Sequence, residues 1–386
     1  VRQAITGDSD RKGRAIDILC QLTLQESHLV TMVRAGAVAP LVQQMKSGKA
    51  VGDDAELRAV VALSHADGAP EAMVAAGGIG PLVSLIEDGG ERVEAHAITA
   101  LHNLARCART IKDVAPVPGL IRACVAVLTR SSDADVRTAA AATLACISEA
   151  GSKPEIVSAD GVAGLLSMLG GEAAGELESA RAICSLSEFT GSHAALATGL
   201  DSLVRLADAS SASRDFAITT LHRLAGGGDA FAQAAMASSE AAIALLVKQL
   251  GSSSTSVSRA QAVSSLLRLC GSAESKGLIV SSGGVAALVA VAHADSVPAA
   301  ARREAALVIA SLSTTLHHAV IASTGGVEVL INALSAPSCD AEMTSAAAVA
   351  LRELVACDAG RSSLLSMGVP SCVKLLSDPN SEVRLN

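Results

Sequence analysis

Apolar residues recur along this chain in two alternating patterns. The first is a block of the form Gly–apolar–x–x–Leu–Val. It reads GAVAPLVQQM from Gly36, GGIGPLVSLI from Gly77, GLIRACVAVL from Gly119 and DGVAGLLSML from Asp160. It continues as TGLDSLVRLA from Thr198, AAIALLVKQL from Ala241, GGVAALVAVA from Gly283, GGVEVLINAL from Gly325 and MGVPSCVKLL from Met367. Successive blocks start 41, 42, 41, 38, 43, 42, 42 and 42 residues apart. So nearly constant a period marks a tandem repeat.

Between the blocks lies a longer run in which Ala and Leu return every three or four residues, as in VEAHAITALHNLA from Val93, VRTAAAATLACIS from Val136 and RAQAVSSLLRLC from Arg259. That spacing places them on one face of a helix. A short third element, such as PEAMVAAG or PEIVSADG, precedes the Gly block. Each unit therefore predicts a short helix, a turn at Gly, a medium helix, a polar loop and a long helix. The turn residue favours Gly because a left-handed backbone follows a helix end. Loop segments Gly52-Asp53-Asp54, Ser131-Ser132-Asp133 and Ser252-Ser253-Ser254 are the expected caps of the long helices.

Three helices at a period near 42 residues resemble the armadillo repeat. Ala100-Leu101-His102-Asn103-Leu104-Ala105 is similar to the A-L-x-N-L-A run of that family's long helix. The resemblance implies an all-α fold, a right-handed α-solenoid superhelix of three-helix repeats. It covers residues 1–386 as a single array: a partial repeat over 1–25, eight full repeats over 26–358 and a partial repeat over 359–386, expected to be a fragment of a longer array. Stacked at helix-packing distances, such an array is on the order of 80 Å long.

Composition narrows the function. A formal net charge of −8 and the absence of Trp and Tyr leave little to neutralise phosphates or stack on bases, so no nucleic-acid partner is expected. Nine cysteines without a CxxC pair read as reduced thiols of the cytoplasm or nucleus. The one stretch that invites a membrane reading, Leu278 to Ala301, is interrupted at Ser281-Ser282-Gly283-Gly284 and at His293-Ala294-Asp295-Ser296, so no membrane insertion is expected.

Catalytic chemistry finds no foothold in the sequence. GxxxxGK[ST], HExxH and GxSxG are absent. Gly226-Gly227-Gly228 lacks the Lys-Ser/Thr of a phosphate loop and reads as a helix exit. His317-His318 are neighbours about 100° apart on a helix, with no further ligand at metal spacing. The expectation is a protein that is not an enzyme and has no cofactor and no metal.

What the resemblance implies about the site is a partner-binding concave face lined by the long helices, where the family's Asn ladder holds the main chain of an extended peptide. Carried over by position, the ladder falls on Gln21, Ala62, Asn103, Cys146, Ser185, Arg223, Arg268, Ser311 and Glu353, with one Asn among the nine. His102 and His222 occupy the slot just before it as groove or packing residues. The absence of Trp speaks against a nuclear-localisation-signal receptor.

The candidate site is thus Gln21, His102, Asn103, Ser185, His222, Arg223, Arg268, Ser311 and Glu353. Arg223 and Arg268, costly to bury unpaired, are expected to line open groove and to grip an acidic or phosphorylated segment, so that reversing both charges leaves stability nearly unchanged. A second register of arginines, Arg137, Arg214, Arg259, Arg302 and Arg384, lies nine residues before the ladder and suits either bonds to neighbouring loops or a grip on an acidic partner.

The function expected is a protein-interaction scaffold that binds an extended or helical protein segment. Two other readings are open: the substrate-recognition region of a larger ubiquitin ligase of the U-box and armadillo type, and membrane recruitment through an acylated N-terminal Gly or Cys.

Overall fold

A computed structural model describes residues 1, 4, 9–46, 54–209, 212–251, 254–314, 317–335 and 340–369. These residues are helical throughout, with no strand among them. Cys339, Cys372, Arg384, residues 52 and 53 of the first loop cap, residues 252 and 253 of the serine run and most of the last partial repeat lie outside the described residues.

Helices come in sets of three. Ala69–Ala75, Ile79–Asp88 and Glu91–Arg106 form one set; Ile111–Val114, Leu120–Arg130 and Ala134–Glu149 form the next; Ala273–Ser281, Gly284–Ala292 and Ala299–Leu312 form a later one. Short and medium helices meet nearly at right angles, at 84° for Ala69–Ala75 with Ile79–Asp88 and 81° for Ala273–Ser281 with Gly284–Ala292. The second bend falls inside the apolar stretch after Leu278. No single helix among the described residues is long and apolar enough to cross a membrane.

The paired glycines at that corner do two jobs. Gly283 has a φ of +78°, which L side chains resist. Gly284 follows in an ordinary conformation, yet a Cβ there would stand 2.6 Å from the Ile279 carbonyl oxygen. The turn needs the first glycine, and the close approach of the two helices needs the second. In the fourth block Asp160 takes the left-handed position itself, at φ +59°, a conformation Asp tolerates better than most residues.

Caps at the long helices agree with the polar loops in part. Asp133 accepts from the backbone amides of Asp135 and Val136, as its position predicts. The helix Ser256–Leu269 is capped by Thr255, whose Oγ1 accepts from the Ser258 amide at 3.1 Å, rather than by the serine run before it. Thr255 wins because a cap must sit directly before the first helical turn for its oxygen to reach the third amide.

The chain divides into two compact units, one of Val1–Ser202 with Ser210–Ala217, the other of Leu203–Ala209 with Ile218–Asn386. In the first, the long helices Ser9–Leu22, Asp54–Ser64, Glu91–Arg106, Ala134–Glu149 and Ala173–Leu186 pack in chain order. Alanine makes that packing close: Ala134–Glu149 buries every residue from Ala140 to Ser148, around its whole circumference. In the second unit Ser256–Leu269, Ala299–Leu312 and Ala341–Leu354 follow the same order.

Candidate partner-binding face

The long helices bring the ladder positions to comparable depths. Gln21 and Arg268 are exposed, while Ala62, Asn103, Ser185, Arg223, Ser311 and Glu353 are half-buried. Cys146 is the exception and is buried. The residue one position further on is buried in every described long helix after the first, from Leu63 to Leu354. Within each unit the row therefore runs along the border between core and solvent, where a side chain can be held in place and still reach outward.

In the first unit the row is tied together across successive helices. Asn103 Nδ2 donates to Ser64 Oγ at 2.7 Å and lies 2.8 Å from His65 Nδ1, both at the end of the preceding long helix. These residues and Arg106 line a polar pocket of about 230 Å³ together with Asp67, Glu71 and Arg109. Arg109 is held by Glu71 at 2.7 Å and Asp67 at 3.5 Å, whereas Arg106 is exposed. His102, the residue before Asn103, is half-buried and has its Nδ1 shielded from solvent with no hydrogen-bond partner. Burial first, and the Arg106 charge second, lower its pKa, so the ring is neutral near pH 7.

Further along, Arg181 is the centre of a network that the ladder alignment did not single out. Its guanidinium bonds Glu149 at 3.0 and 3.2 Å and Glu178 at 3.0 and 2.6 Å, and its Nη2 lies 3.9 Å from Cys146 Sγ. Burial raises the Cys146 pKa against the pull of that arginine, so the thiol stays protonated. Cys146 is a packing residue under Arg181, and Ser185, one turn on, is the next half-exposed ladder position.

In the second unit both arginines of the pair are engaged within the fold. Arg268 is exposed, yet its Nη1 donates to the Gly226 carbonyl at 3.2 Å, at the C-terminus of the Arg214–Gly226 helix. A cation there satisfies an otherwise open carbonyl and opposes the negative helix end. Reversing its charge removes that contact as well as any contact to a partner, at a cost of about 0.3–1 kcal/mol. Arg223 is half-buried and engaged within the protein. Glu353 accepts from its neighbour Arg352 at 2.8 Å.

His222 turns inward. Its Nδ1 shares a 2.7 Å hydrogen bond with Ser265 Oγ on the next long helix. Its Nε2 and both carboxamide atoms of the nearby Gln249 are shielded from solvent without a hydrogen-bond partner. Burial pushes the ring's pKa down to about 4, with Gln249 a weaker opposing influence. His222 is thus a packing residue between helices rather than a groove residue.

The second arginine register serves the loops. Arg137 reaches the Ser131 carbonyl at 3.4 Å, Arg259 the Ser296 hydroxyl at 3.2 Å and Arg302 the Asp295 carboxylate at 3.2 Å. Among the described residues no group of three His, Cys, Asp or Glu side chains could hold a metal ion, and no described cysteine forms a disulfide. Gly226 ends its helix and Gly228 turns at φ +79°; His317 and His318 open a short helix.

This arrangement defines an all-helical, repeat-like protein. No family model matches the chain, and no curated protein matches it. Among solved structures it is similar to an engineered protein, with 28% identity and a TM-score of 0.65 over 100% of this chain and 95% of that one.

Proposed function

We propose that this chain is an armadillo-type α-solenoid that works without catalysis as a scaffold, binding a partner polypeptide along the ladder row of its long helices. The observation that carries the reading is the row itself. Nine positions at a repeat spacing of about 42 residues lie on the long helices, and eight of them stay half-buried or exposed although each next residue after the first helix is core. Polar groups kept at such a border are suited to a partner's backbone, since amide and hydroxyl groups can donate or accept there and guanidinium groups can donate.

Gln21, Asn103, Ser185 and Ser311 are the residues best placed to touch the partner, with Arg106 beside Asn103 as the open cation. His222 and Cys146 act through packing. The occupant fits an extended or helical protein segment, and the protein needs neither metal nor cofactor for this. It works in the cytoplasm or nucleus.

The superhelix is tested by small-angle X-ray scattering. A solenoid of these repeats should give a radius of gyration above about 25 Å, whereas a compact globule of 386 residues has about 21 Å. A value near the globular figure sinks the solenoid and the groove with it.

A further inference from the structure

Three residues past each ladder position the chain carries a second row, and inside the first unit that row changes sign. It reads His65, Arg106, Glu149 and Glu188, all exposed. In the second unit the same register holds Gly226, Gly271, Thr314 and Ala356, none of them charged.

Two of the four side chains in the first unit are already engaged: His65 lies against Asn103, and Lys153 meets Glu188. Arg106 makes no hydrogen bond or ion pair among the described residues. Asp67 and Glu71, which share its pocket, are taken up by Arg109. On the next long helices Glu149 and Glu178 divide a single guanidinium, that of Arg181, at 3.0 and 2.6 Å. Two carboxylates on one arginine leave one negative charge over, and the Glu149 side chain is 48% exposed. The surface therefore offers an open cation at Arg106 and an excess anion at Glu149 and Glu178.

These two charges lie on packed neighbours. Glu91–Arg106 packs on Ala134–Glu149, which packs on Ala173–Leu186. After burial itself, the influences that act on the His102 ring are the charges of Arg106, Glu178 and Arg181, which places both ends within reach of one half-buried side chain. Packed helices stand about 8–10 Å apart. An extended chain of the polyproline type has three residues per turn and rises about 3.1 Å per residue, so its positions i and i+3 share a side at about 9 Å.

We propose that the segment bound along the first unit is extended and bipolar, with an acidic residue against Arg106 and a basic residue three positions away, in either chain direction, against Glu149 and Glu178. This rests on the ladder reading and adds the partner's charge pattern to it. A guanidinium with no partner can take a carboxylate through two parallel hydrogen bonds, and the carboxylate pair accepts from an ammonium or guanidinium. A uniformly acidic or phosphorylated segment is disfavoured here, because its next anion would face Glu149 and Glu178.

Random dodecapeptides in an mRNA-display library, selected on the immobilised full chain at low salt, test it. Recovered peptides should carry an acidic and a basic residue three positions apart at least threefold more often than the unselected library. One such peptide, labelled with fluorescein, should bind Arg106→Glu about fivefold more weakly than wild type, and replacing its acidic residue with Lys should restore affinity for that variant. Glu149→Gln should relax the choice of basic residue alone. Arg122→Glu, exposed on a medium helix, should change nothing. Circular dichroism checks that each variant is folded. Recovered peptides that crosslink to benzoylphenylalanine at Ser185 but lack the charge pair, or that bind Arg106→Glu as tightly as wild type, overturn the proposal and leave the ladder reading standing. A selection that enriches nothing, or only peptides that crosslink from Arg122 and not from Ser185, overturns both.

Discussion

Between pH 7 and pH 5 the Arg214–Gly226 helix should lose about 2 kcal/mol of local stability, read as amide exchange roughly 30-fold faster after correction for intrinsic rates. The cause is His222. Its pKa in the fold is about 4, below the 6.5 of an unhindered ring, because burial penalises the imidazolium. A base with a lowered folded pKa binds fewer protons in the fold than in the unfolded chain. Its contribution is therefore complete above pH 6.5 and declines as the pH falls from there towards 4. Neither Ser265 nor Gln249, the polar groups facing the ring, can neutralise the new charge. His222→Gln keeps a partner for Ser265 and should flatten the profile over this range. A variant that stayed as acid-sensitive as wild type would place the sensitive group elsewhere.

The second large effect compares one residue type at one register in two environments. Leu186 is fully buried one position after its ladder residue, and Leu22 is 39% exposed one position after its own. Leu186→Ala should cost about 2–5 kcal/mol, because both the burial and the filling of a close-packed site are lost. Leu22→Ala should cost about 1 kcal/mol, since much of that side chain already faces water. Repeat arrays do not always unfold in one step, so the comparison is made by hydrogen exchange of the neighbouring helices rather than by one melting temperature. Equal costs would mean that Leu22 is covered in solution.

The helices and their order are legible in the sequence because they rest on local rules. Apolar spacing places VRTAAAATLACIS on a helix, and a Gly or Asp at the head of most blocks marks the turn. What the sequence does not disclose is which side chains meet across repeats. Asn103 pairs with Ser64 and His65, 39 and 38 residues away; Arg268 with Gly226, 42 residues away; and His222 with Ser265, 43 residues away. Each distance is one repeat, so the period says that such neighbours meet. It does not say whether a polar side chain turns to its neighbour or to solvent. Arg268 reads from its cost of burial as an open groove residue, and it is exposed, but the nearby helix end captures it. His222 reads as either groove or packing, and the hydroxyl of Ser265 across the interface draws it inward. Arg181 carries no signal in the ladder alignment at all; its network needs Glu149 and Cys146 from the preceding helix and Glu178 from its own.

The central claim, that a partner polypeptide runs along the ladder row, is tested most directly by site-specific photo-crosslinking. Benzoylphenylalanine is placed at Ser185 and Ser311, half-exposed ladder residues of the two units, and for comparison at Arg122 and Glu328, exposed on medium helices. With a partner recovered by affinity purification of the intact chain, the account predicts crosslinked partner peptides from Ser185 and Ser311 at least ten times as abundant as those from Arg122 and Glu328. Crosslinks that favour the medium helices, or that do not distinguish the four sites, would contradict it.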